Sequence, residues 1–274
     1  MTAPDPADLD LADLAAVRES KPLVNALTNN VTVNDVAQVI LHWGGLPVMS
    51  DDEREVGAMV SAADACLLNM GTVSKSGESA MITAGEAANE AGVPVVVDPV
   101  GVGSTPTRNR VAERLVSELD IALLKGNYGE ITALVGEDAE VRGVESVGEY
   151  SDIAATAVAC AQAYDTVVVA SGETDVVATR ESAYEVTVGH PTMGEVVGTG
   201  CMLGGTVATL AGAMADAEAA LLGTTAFGLA GEAAADGQFG EFHGPASYHV
   251  GFKDAIAGIE DATVDPIAER VDRV

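Results

Sequence analysis

Two short runs of β-branched residues constrain the fold most strongly. Val93 to Val97 and Thr166 to Ala170 each contain three consecutive valines. Continuous runs of this kind suit strands that are buried on both faces of a parallel sheet. Segments typical of helices alternate with such runs along the chain, among them Val31 to Trp43 and Ser79 to Ala91. This alternation indicates parallel crossovers and predicts an α/β fold with a mostly parallel central sheet.

Polar or small residues follow the predicted strands where each strand ends. In parallel sheets, ligands bind beyond the carboxyl ends of the strands. We therefore expect one rim of the sheet to carry Asn29, Met49, Asp98, Lys125, Ser171 and the turn at Gly198. Two further runs, Val176 to Thr179 and Tyr184 to Val188, predict a hairpin on the flank of the sheet.

The chain of 274 residues shows no linker, low-complexity tract or internal repeat, which predicts a single domain over residues 1–274. The odd number of cysteines, at positions 66, 160 and 201, indicates neither a disulfide framework nor a zinc site. The acidic N-terminus does not resemble a signal peptide. Residues 198–215 lack charge but are too rich in Gly, Ala and Thr to favour a membrane span. A reducing cytoplasm is the expected location.

The net charge of −29 comes from 42 acidic and 13 basic residues spread along the chain. Such a surface repels nucleic acids and anionic membranes, so neither is expected as a partner. It also repels itself in dilute buffer. The composition therefore predicts a protein of a salt-loving organism, working in multimolar salt.

The sequence around Gly198-Thr199-Gly200-Cys201 predicts a glycine turn that opens a buried helix near Cys201. The unpaired N–H groups and positive dipole at such a helix start form an anion site. There the thiolate of Cys201 would be favoured. The alternative is a glycine-rich turn before a core helix, with Cys201 as a small buried hydrophobe. This segment alone leaves both interpretations open.

The other rim residues also have two interpretations each. Asp98 could hold Mg²⁺ or form an Asp-Pro turn. Lys125 could contact a phosphate as a point charge. Glu130, close to a helix start, could serve Mg²⁺ or complement the dipole, and Ser171 could bind a phosphate or shape its turn.

Two common nucleotide-binding signatures are absent from the sequence. There is no G-x-x-x-x-G-K-[ST], and the glycines at 198, 200 and 204 miss the G-x-G-x-x-G spacing by one. A kinase without a P-loop needs a glycine turn, a basic residue and Mg²⁺ to hold its phosphates. The rim supplies these parts, so the residues predict phosphoryl transfer without naming a substrate.

Seven segments occur in the order seen in hydroxyethylthiazole kinases: TNNVTVNDVA, GGLPVMSDD, VVVDPVGVGST, LLKGNYGEI, ASGETD, GHPTM and VGTGCMLGG. The resemblance runs from about Leu23 to Asp254. It implies a ribokinase-like fold, a three-layer α/β/α arrangement with a mostly parallel sheet. It also implies transfer of the ATP γ-phosphate to the primary alcohol of 4-methyl-5-(2-hydroxyethyl)thiazole, a thiamine salvage step. Mg²⁺ and a homotrimer with sites at subunit interfaces are implied as well.

The resemblance also suggests roles for the rim residues. Met49 and Gly198 resemble the thiazole contacts, with Asn29 as a further candidate. Lys125 and Ser171 resemble the ATP contacts, and Asp98 and Glu130 resemble the metal-associated acids. Cys201 stands where many ribokinase-like enzymes have the Asp that deprotonates the alcohol, and its N–H, with those of Gly198 and Gly200, would face the γ-phosphoryl oxygens.

The sequence departs from the family pattern at three places. Lys125 stands where Arg is usual, and Ser171 where Thr is common. Lys keeps the positive charge but loses the bidentate fork of Arg, which puts nucleotide affinity in question more than activity. The segment Gly244 to Ser247 lacks the second glycine usual in that loop.

Three other functions fit parts of this pattern. One is another ribokinase-like small-molecule kinase, such as a pyrimidine alcohol kinase, and a second is an ATP-dependent NAD(P)H-hydrate dehydratase. Cys201 in place of Asp and the TNNVTVND segment argue against both. The third is a non-catalytic nucleotide sensor, which would bind ATP but release no ADP with any alcohol.

The charge predicts that stability depends on salt. Charges repel one another over ~30 Å at 0.01 M salt but over only ~3 Å at 1 M. We expect the melting temperature to rise between about 0.1 M and 3 M KCl, followed by circular dichroism. A melting temperature that is constant or falls over this range contradicts the prediction.

Overall fold

The computed structural model describes residues 4–136, 141–142, 145–146 and 152–274. In these ranges nine strands form one sheet and two short strands form a separate ribbon. In chain order the strands are β1 Leu23–Leu27, β2 Leu46–Val48, β3 Ala65–Asn69, β4 Val95–Asp98, β5 Leu123–Asn127, β6 Val141–Arg142, β7 Glu145–Ser146, β8 Val167–Ser171, β9 Asp175–Ala178, β10 Ala183–Val186 and β11 Val271–Arg273.

The large sheet has the order β11-β10-β9-β8-β5-β4-β3-β1-β2. From β2 to β8 all neighbouring strands are parallel, whereas β8, β9, β10 and β11 pair antiparallel. The strands β6 and β7 form the ribbon. The mostly parallel sheet and the flanking hairpin, β9 and β10, are as predicted. The edge strand β11 was not foreseen, because three residues carry no readable alternation.

The helices are α1 Leu14–Ser20, α2 Val33–His42, α3 Val56–Val60, α4 Lys75–Ala91, α5 Pro106–Glu118, α6 Tyr128–Leu134, α7 Ile153–Tyr164, α8 Thr199–Ala211, α9 Asp216–Ala235 and α10 Pro245–Gly258. The helix α5 was not assigned from the sequence. Its start has a clear cause: the side chain of Thr105 accepts a hydrogen bond from the Arg108 N–H, and Pro106 occupies the first turn.

The helices cover both faces of the sheet, which gives the predicted three layers. Alternate strand residues point to opposite faces. Val96 belongs to the core beneath α1, α2, α8, α9 and α10. Val95 and Val97 belong to the core beneath α3 to α7. The central strands are therefore buried on both sides, as their continuous valines predict.

The apolar segment after Gly198 is α8, which begins at Thr199, two residues earlier than expected. Its buried neighbours include α9, strands β3 and β4, and α2. It lies within the fold, and none of the helices in the described ranges is long and apolar enough to cross a membrane.

Candidate active site

The carboxyl ends of the parallel strands and the start of α8 meet at one rim. Asp98 and Ser171 are the last residues of β4 and β8, Lys125 lies in β5, and Met49 follows β2. Strands are spaced ~4.8 Å apart, so the five strand steps between β2 and β8 place Met49 roughly 24 Å from Ser171. The predicted rim residues therefore do not all meet at one point. Met49 lies at one end of the rim and Ser171 lies at the other.

Gly198 makes the turn into α8 with a φ of +92°, in the left-handed region that favours glycine. A Cβ at Gly198 would lie 2.2 Å from Thr32 Cγ2, so the turn also needs glycine for space. Two residues further on, a Cβ at Gly200 would lie 3.1 Å from Lys125 Nζ. The helix start therefore sits directly beside a lysine ammonium, and both attract anions.

Lys125 and Asp98 form a buried ion pair on neighbouring strands. The Nζ to Oδ1 distance is 3.6 Å, and the residues are 4% and 0% exposed. Burial opposes the lysine charge, but the carboxylates of Asp98 and Glu130 outweigh it and raise the pKa of Lys125. Lys125 therefore keeps its proton.

Burial also raises the pKa of Asp98, against the charge of Lys125 and a hydrogen bond from Asn69. Both carboxylate oxygens nevertheless face donors: Oδ1 faces the Lys125 ammonium, and Oδ2 accepts the Asn69 amide at 2.6 Å. This geometry favours the ionised form, because a proton on Asp98 would point at another donor.

Glu130 joins the start of α6 to the loop after β4. Its Oε1 accepts the Gly101 N–H at 2.6 Å, and its Oε2 accepts the Asn127 N–H at 2.8 Å. Asn127 in turn caps the Glu130 N–H, completing a capping box. Burial raises the pKa of Glu130 to about 7, with a further contribution from Asp98. Glu130 therefore supports the helix start and also contributes charge next to Asp98.

Cys201 lies in the first turn of α8, half-buried, with its Sγ 3.4 Å from Asn29 Nδ2. Burial and the charge of Asp98 raise the pKa of the Cys201 thiol. Of the two interpretations that the sequence left open, the structure favours a largely buried, neutral Cys201 thiol over a thiolate at the helix start. The dipole acts on Cys201, but desolvation and a neighbouring carboxylate dominate.

Asn29 lies beside Cys201 and makes its hydrogen bonds to the chain. Its Oδ1 accepts the N–H groups of Val31 and Thr32, and its Nδ2 donates to Thr32 Oγ1 at 2.8 Å. Ser171 lies at the other end of the rim, with its Oγ 3.4 Å from the Gly126 carbonyl.

Two residues at the rim were not singled out from the sequence. Asn69 ends β3 and contacts both Asn29 and Asp98. The sequence does indicate a rim position for Asn69, because Asn69 follows the apolar run ACLL just as Asp98 follows three valines. Arg108 of α5 donates to the carbonyls of Met70, Gly71 and Val100 and so ties two rim loops together. Nothing local in the sequence indicates that role.

A cavity of about 480 Å³ opens between the loops that follow β1, β2 and β3. Thr28, Asn69, Thr72 and Met81 are among the residues that line it, and Asp51 and Asp52 stand at its acidic side. Asn69 lines this cavity and also donates to Asp98, so it lies between the cavity and the ion pair.

The three-layer arrangement, with its nine-stranded, mostly parallel sheet, is the ribokinase-like fold. A ribokinase-like superfamily protein from Enterococcus faecalis shares the fold with a TM-score of 0.63 at 12% identity, covering 93% of this chain and 91% of that one. The structure of a hydroxyethylthiazole kinase protein from Pyrococcus horikoshii matches with a TM-score of 0.83 at 31% identity, over 96% of this chain and 98% of that one.

The family follows from the sequence comparisons. A model of the hydroxyethylthiazole kinase family matches residues 14–261. Hydroxyethylthiazole kinases of Natronomonas pharaonis and Haloquadratum walsbyi are 63% and 62% identical; the matches cover 98% of both chains in the first case, and 96% of this chain and 92% of the relative in the second. The chain belongs to the hydroxyethylthiazole kinase family. The predicted fold, family and kinase class are thus confirmed, and these two relatives come from halophiles, as the charge led us to expect.

The polar turn after β8 generates a prediction about pH. Asp175 accepts the Gly172 N–H at 2.9 Å, and burial raises the pKa of Asp175 to about 6. A carboxyl group with a raised folded-state pKa stabilises the fold below its unfolded pKa and loses that contribution as pH rises through the folded value. Asp175→Asn keeps the accepting oxygen and removes the charge. Its stability relative to wild type should therefore grow between pH 4.5 and 7.5.

The gain at pH 7.5 should be on the order of 1–3 kcal/mol, since one unit of pKa corresponds to ~1.4 kcal/mol. Urea unfolding in about 2 M KCl, where surface charges are screened, measures it. Asp165→Asn is the matched control, because the Asp165 carboxylate is exposed and pairs with Arg180 at the surface. A stability difference that does not change with pH contradicts the prediction.

Proposed function

We propose that this protein transfers the γ-phosphoryl group of ATP to the primary alcohol of 4-methyl-5-(2-hydroxyethyl)thiazole, a salvage step of thiamine biosynthesis. The observation that carries the proposal is the glycine turn at Gly198, which places the α8 start beside the Lys125 ammonium in a chain of this family. This is where a transferring phosphoryl group needs positive charge.

Lys125 and Ser171 are proposed as the ATP contacts. They lie on the neighbouring strands β5 and β8, and Ser171 is paired with Asn127, two residues beyond Lys125. Lys125 reaches a phosphate oxygen as a point charge, and the Ser171 hydroxyl donates one hydrogen bond. Because Asp98 shares the lysine charge, nucleotide binding should depend on a further cation.

Mg²⁺ is proposed as that cation, with Asp98 and Glu130 as the acids that hold it. Among the described residues no three acidic, His or Cys side chains form a metal cage. Mg²⁺ sites at phosphates need only one or two carboxylates, however, with waters and phosphate oxygens completing the octahedron. The residues fit: within the same ranges Asp98 Oδ1 is buried without a hydrogen-bond partner, and the Glu130 carboxyl is near enough for the Asp98 charge to raise the pKa of Glu130. Bound there, Mg²⁺ would neutralise the phosphate charge.

Met49, Gly198 and Asn29 are proposed as the acceptor side of the site. Met49 is half-buried beyond β2 and packs against the core under α2 and α8. Asn29 donates to Thr32 Oγ1, and Thr32 Cγ2 lies against Gly198. Gly198, Asn29 and Thr32 therefore lie together at the start of α8. An alcohol held here would lie near the first turn of α8, which contains Gly200 and Cys201.

In the proposed mechanism, the N–H groups of Gly198, Gly200 and Cys201 at the start of α8 hold the γ-phosphoryl oxygens while the alcohol oxygen attacks in line. The P–O bond to the ADP leaving group breaks as the new P–O bond forms. The alcohol proton passes late to an oxygen of the transferred phosphoryl group or to water, because the transition state is loose and needs little base assistance. With its raised pKa, the Cys201 thiol is a poor base and lines the acceptor position.

A homotrimer with sites at subunit interfaces is also proposed. Val31 and Val197 are each 73% exposed and flank the contact between Thr32 and Gly198. A neighbouring subunit at this surface would cover both valines. Light scattering in high KCl should give three times the mass of one chain, and a monomer mass contradicts the trimer.

The deciding experiment measures ADP release from Mg²⁺·ATP with the thiazole alcohol, in about 2–3 M KCl to screen self-repulsion. The pyrimidine alcohol of thiamine synthesis and a reaction without acceptor are the controls. We expect thiazole-dependent turnover and little ADP release with either control. Folded protein that binds ATP but turns over no thiazole contradicts the proposal.

Two variants test the roles at the α8 start. Cys201→Ser should retain activity within about tenfold of wild type, whereas loss of a needed general base costs about 10²–10⁴-fold. Gly198→Val should abolish activity, because its side chain meets Thr32 and its φ is unfavourable for valine. Initial rates of ADP release measure both. A Cys201→Ser variant as inactive as Gly198→Val refutes the view that Cys201 is dispensable.

A further inference from the structure

Asn69 is the polar residue that connects the acceptor side of the rim to the ion pair. It ends β3, is 3% exposed, and pairs in register with Asp98 on β4. Its side chain lies between those of Asn29 and Asp98, at 3.1 Å and 2.6 Å.

Backbone groups determine which way this chain of amides points. The Gly71 N–H donates to Asn69 Oδ1 at 3.0 Å, so that atom must be the amide oxygen. The N–H groups of Val31 and Thr32 likewise identify the oxygen of Asn29. Asn29 therefore donates to Asn69, and Asn69 Nδ2 is left to donate to Asp98.

This arrangement of hydrogen bonds determines how the two oxygens of Asp98 are used. Its Oδ2 is occupied by the Asn69 amide, and this bond fixes the rotation of the carboxylate. The other oxygen, Oδ1, is buried 3.6 Å from Lys125 Nζ and accepts no hydrogen bond from the described part of the chain. A buried carboxylate oxygen without a donor is stable only beside positive charge, and the ammonium at 3.6 Å is too far away to satisfy it with a hydrogen bond.

We propose that Asn69 is a positioning residue: it holds Asp98 Oδ2 so that Oδ1 faces the divalent cation that accompanies the nucleotide. The inference rests on the proposed function. Partners that orient a metal-binding group typically change metal affinity or activity by 10–100-fold when removed. Asn69 acts through Asp98, and its effect should therefore appear only when the cation is present.

A purely architectural role for Asn69 makes a different prediction. Through Gly71 and Asn29, Asn69 also supports the loops after β3 and β1. If that support were its whole contribution, removing it would weaken ATP binding equally with and without Mg²⁺.

The test measures the dissociation constant of ATP by calorimetry, once with excess Mg²⁺ and once with EDTA, for wild type and Asn69→Ala. Asn89→Ala is the matched control. Asn89 also makes two hydrogen bonds to a distant segment, both to the Asp120 backbone. These bonds lie at the amino ends of the strands, away from the rim. Asn69→Ser replaces Asn69→Ala if the alanine variant does not fold, as judged by its melting curve.

We expect Mg²⁺ to tighten ATP binding in wild type and in Asn89→Ala. In Asn69→Ala this gain should shrink about 10-fold or more, while ATP affinity in EDTA stays within about threefold. An equal loss in both conditions, an unchanged gain, or a wild type in which Mg²⁺ has no effect overturns the inference. A wild type that binds no ATP at all refutes the proposed function itself.

Discussion

The buried pair of Lys125 and Asp98 is the interaction on which the rim depends. Removing two charges from water is costly, and their attraction offsets that cost only with close approach and additional hydrogen bonds. The amide of Asn69 supplies one such bond. The helix α8 can cover the pair because it presents glycines to it: Cβ atoms at Gly200 and Gly204 would lie 3.1 Å from Lys125 Nζ and 3.2 Å from Asp98 Oδ2. The glycine spacing of α8 thus follows from the charges beneath it.

The loops around this pair are held from outside by a second set of contacts. The Val100–Gly101 peptide is held at both ends, since Arg108 donates to its carbonyl and its N–H donates to Glu130. Arg108 also holds the carbonyls of Met70 and Gly71. Catalytic geometry must be maintained within fractions of an ångström, and groups with several fixed partners provide that.

Positively charged residues are scarce in this chain, which has 13 basic and 42 acidic residues. Lys125 and Arg108 stand at the rim, and Arg110 and Arg114 both bind Glu78 between α4 and α5. The other nine basic residues are too few to balance the 42 acidic residues. The acidic exterior suits concentrated salt, while the interior places the Lys125 ammonium beside the start of α8.

Much of the site could be predicted from local patterns. Asp98, Lys125 and Ser171 could be predicted as rim residues because each ends or nearly ends a buried apolar run. Parallel strands bring such ends to one edge of the sheet. Gly198 was readable from its spacing before an uncharged helix. Asn69 carried the same signal and was overlooked, whereas Arg108 carried none, because its partners are carbonyls 8 to 38 residues away.

The sequence by itself determined the α/β class, the parallel sheet, the family and the identity of most rim residues, because strand burial and helix starts depend on near neighbours in the chain. Only the tertiary structure decided how those residues act on one another. It brought Asp98 next to Cys201, so that burial and repulsion raise the thiol pKa instead of the helix start lowering it. It also separated Met49 from Ser171 across the sheet and left Asp98 Oδ1 without a partner among the described residues. Desolvation and Coulomb energies depend on three-dimensional distance, which residue spacing along the chain does not specify.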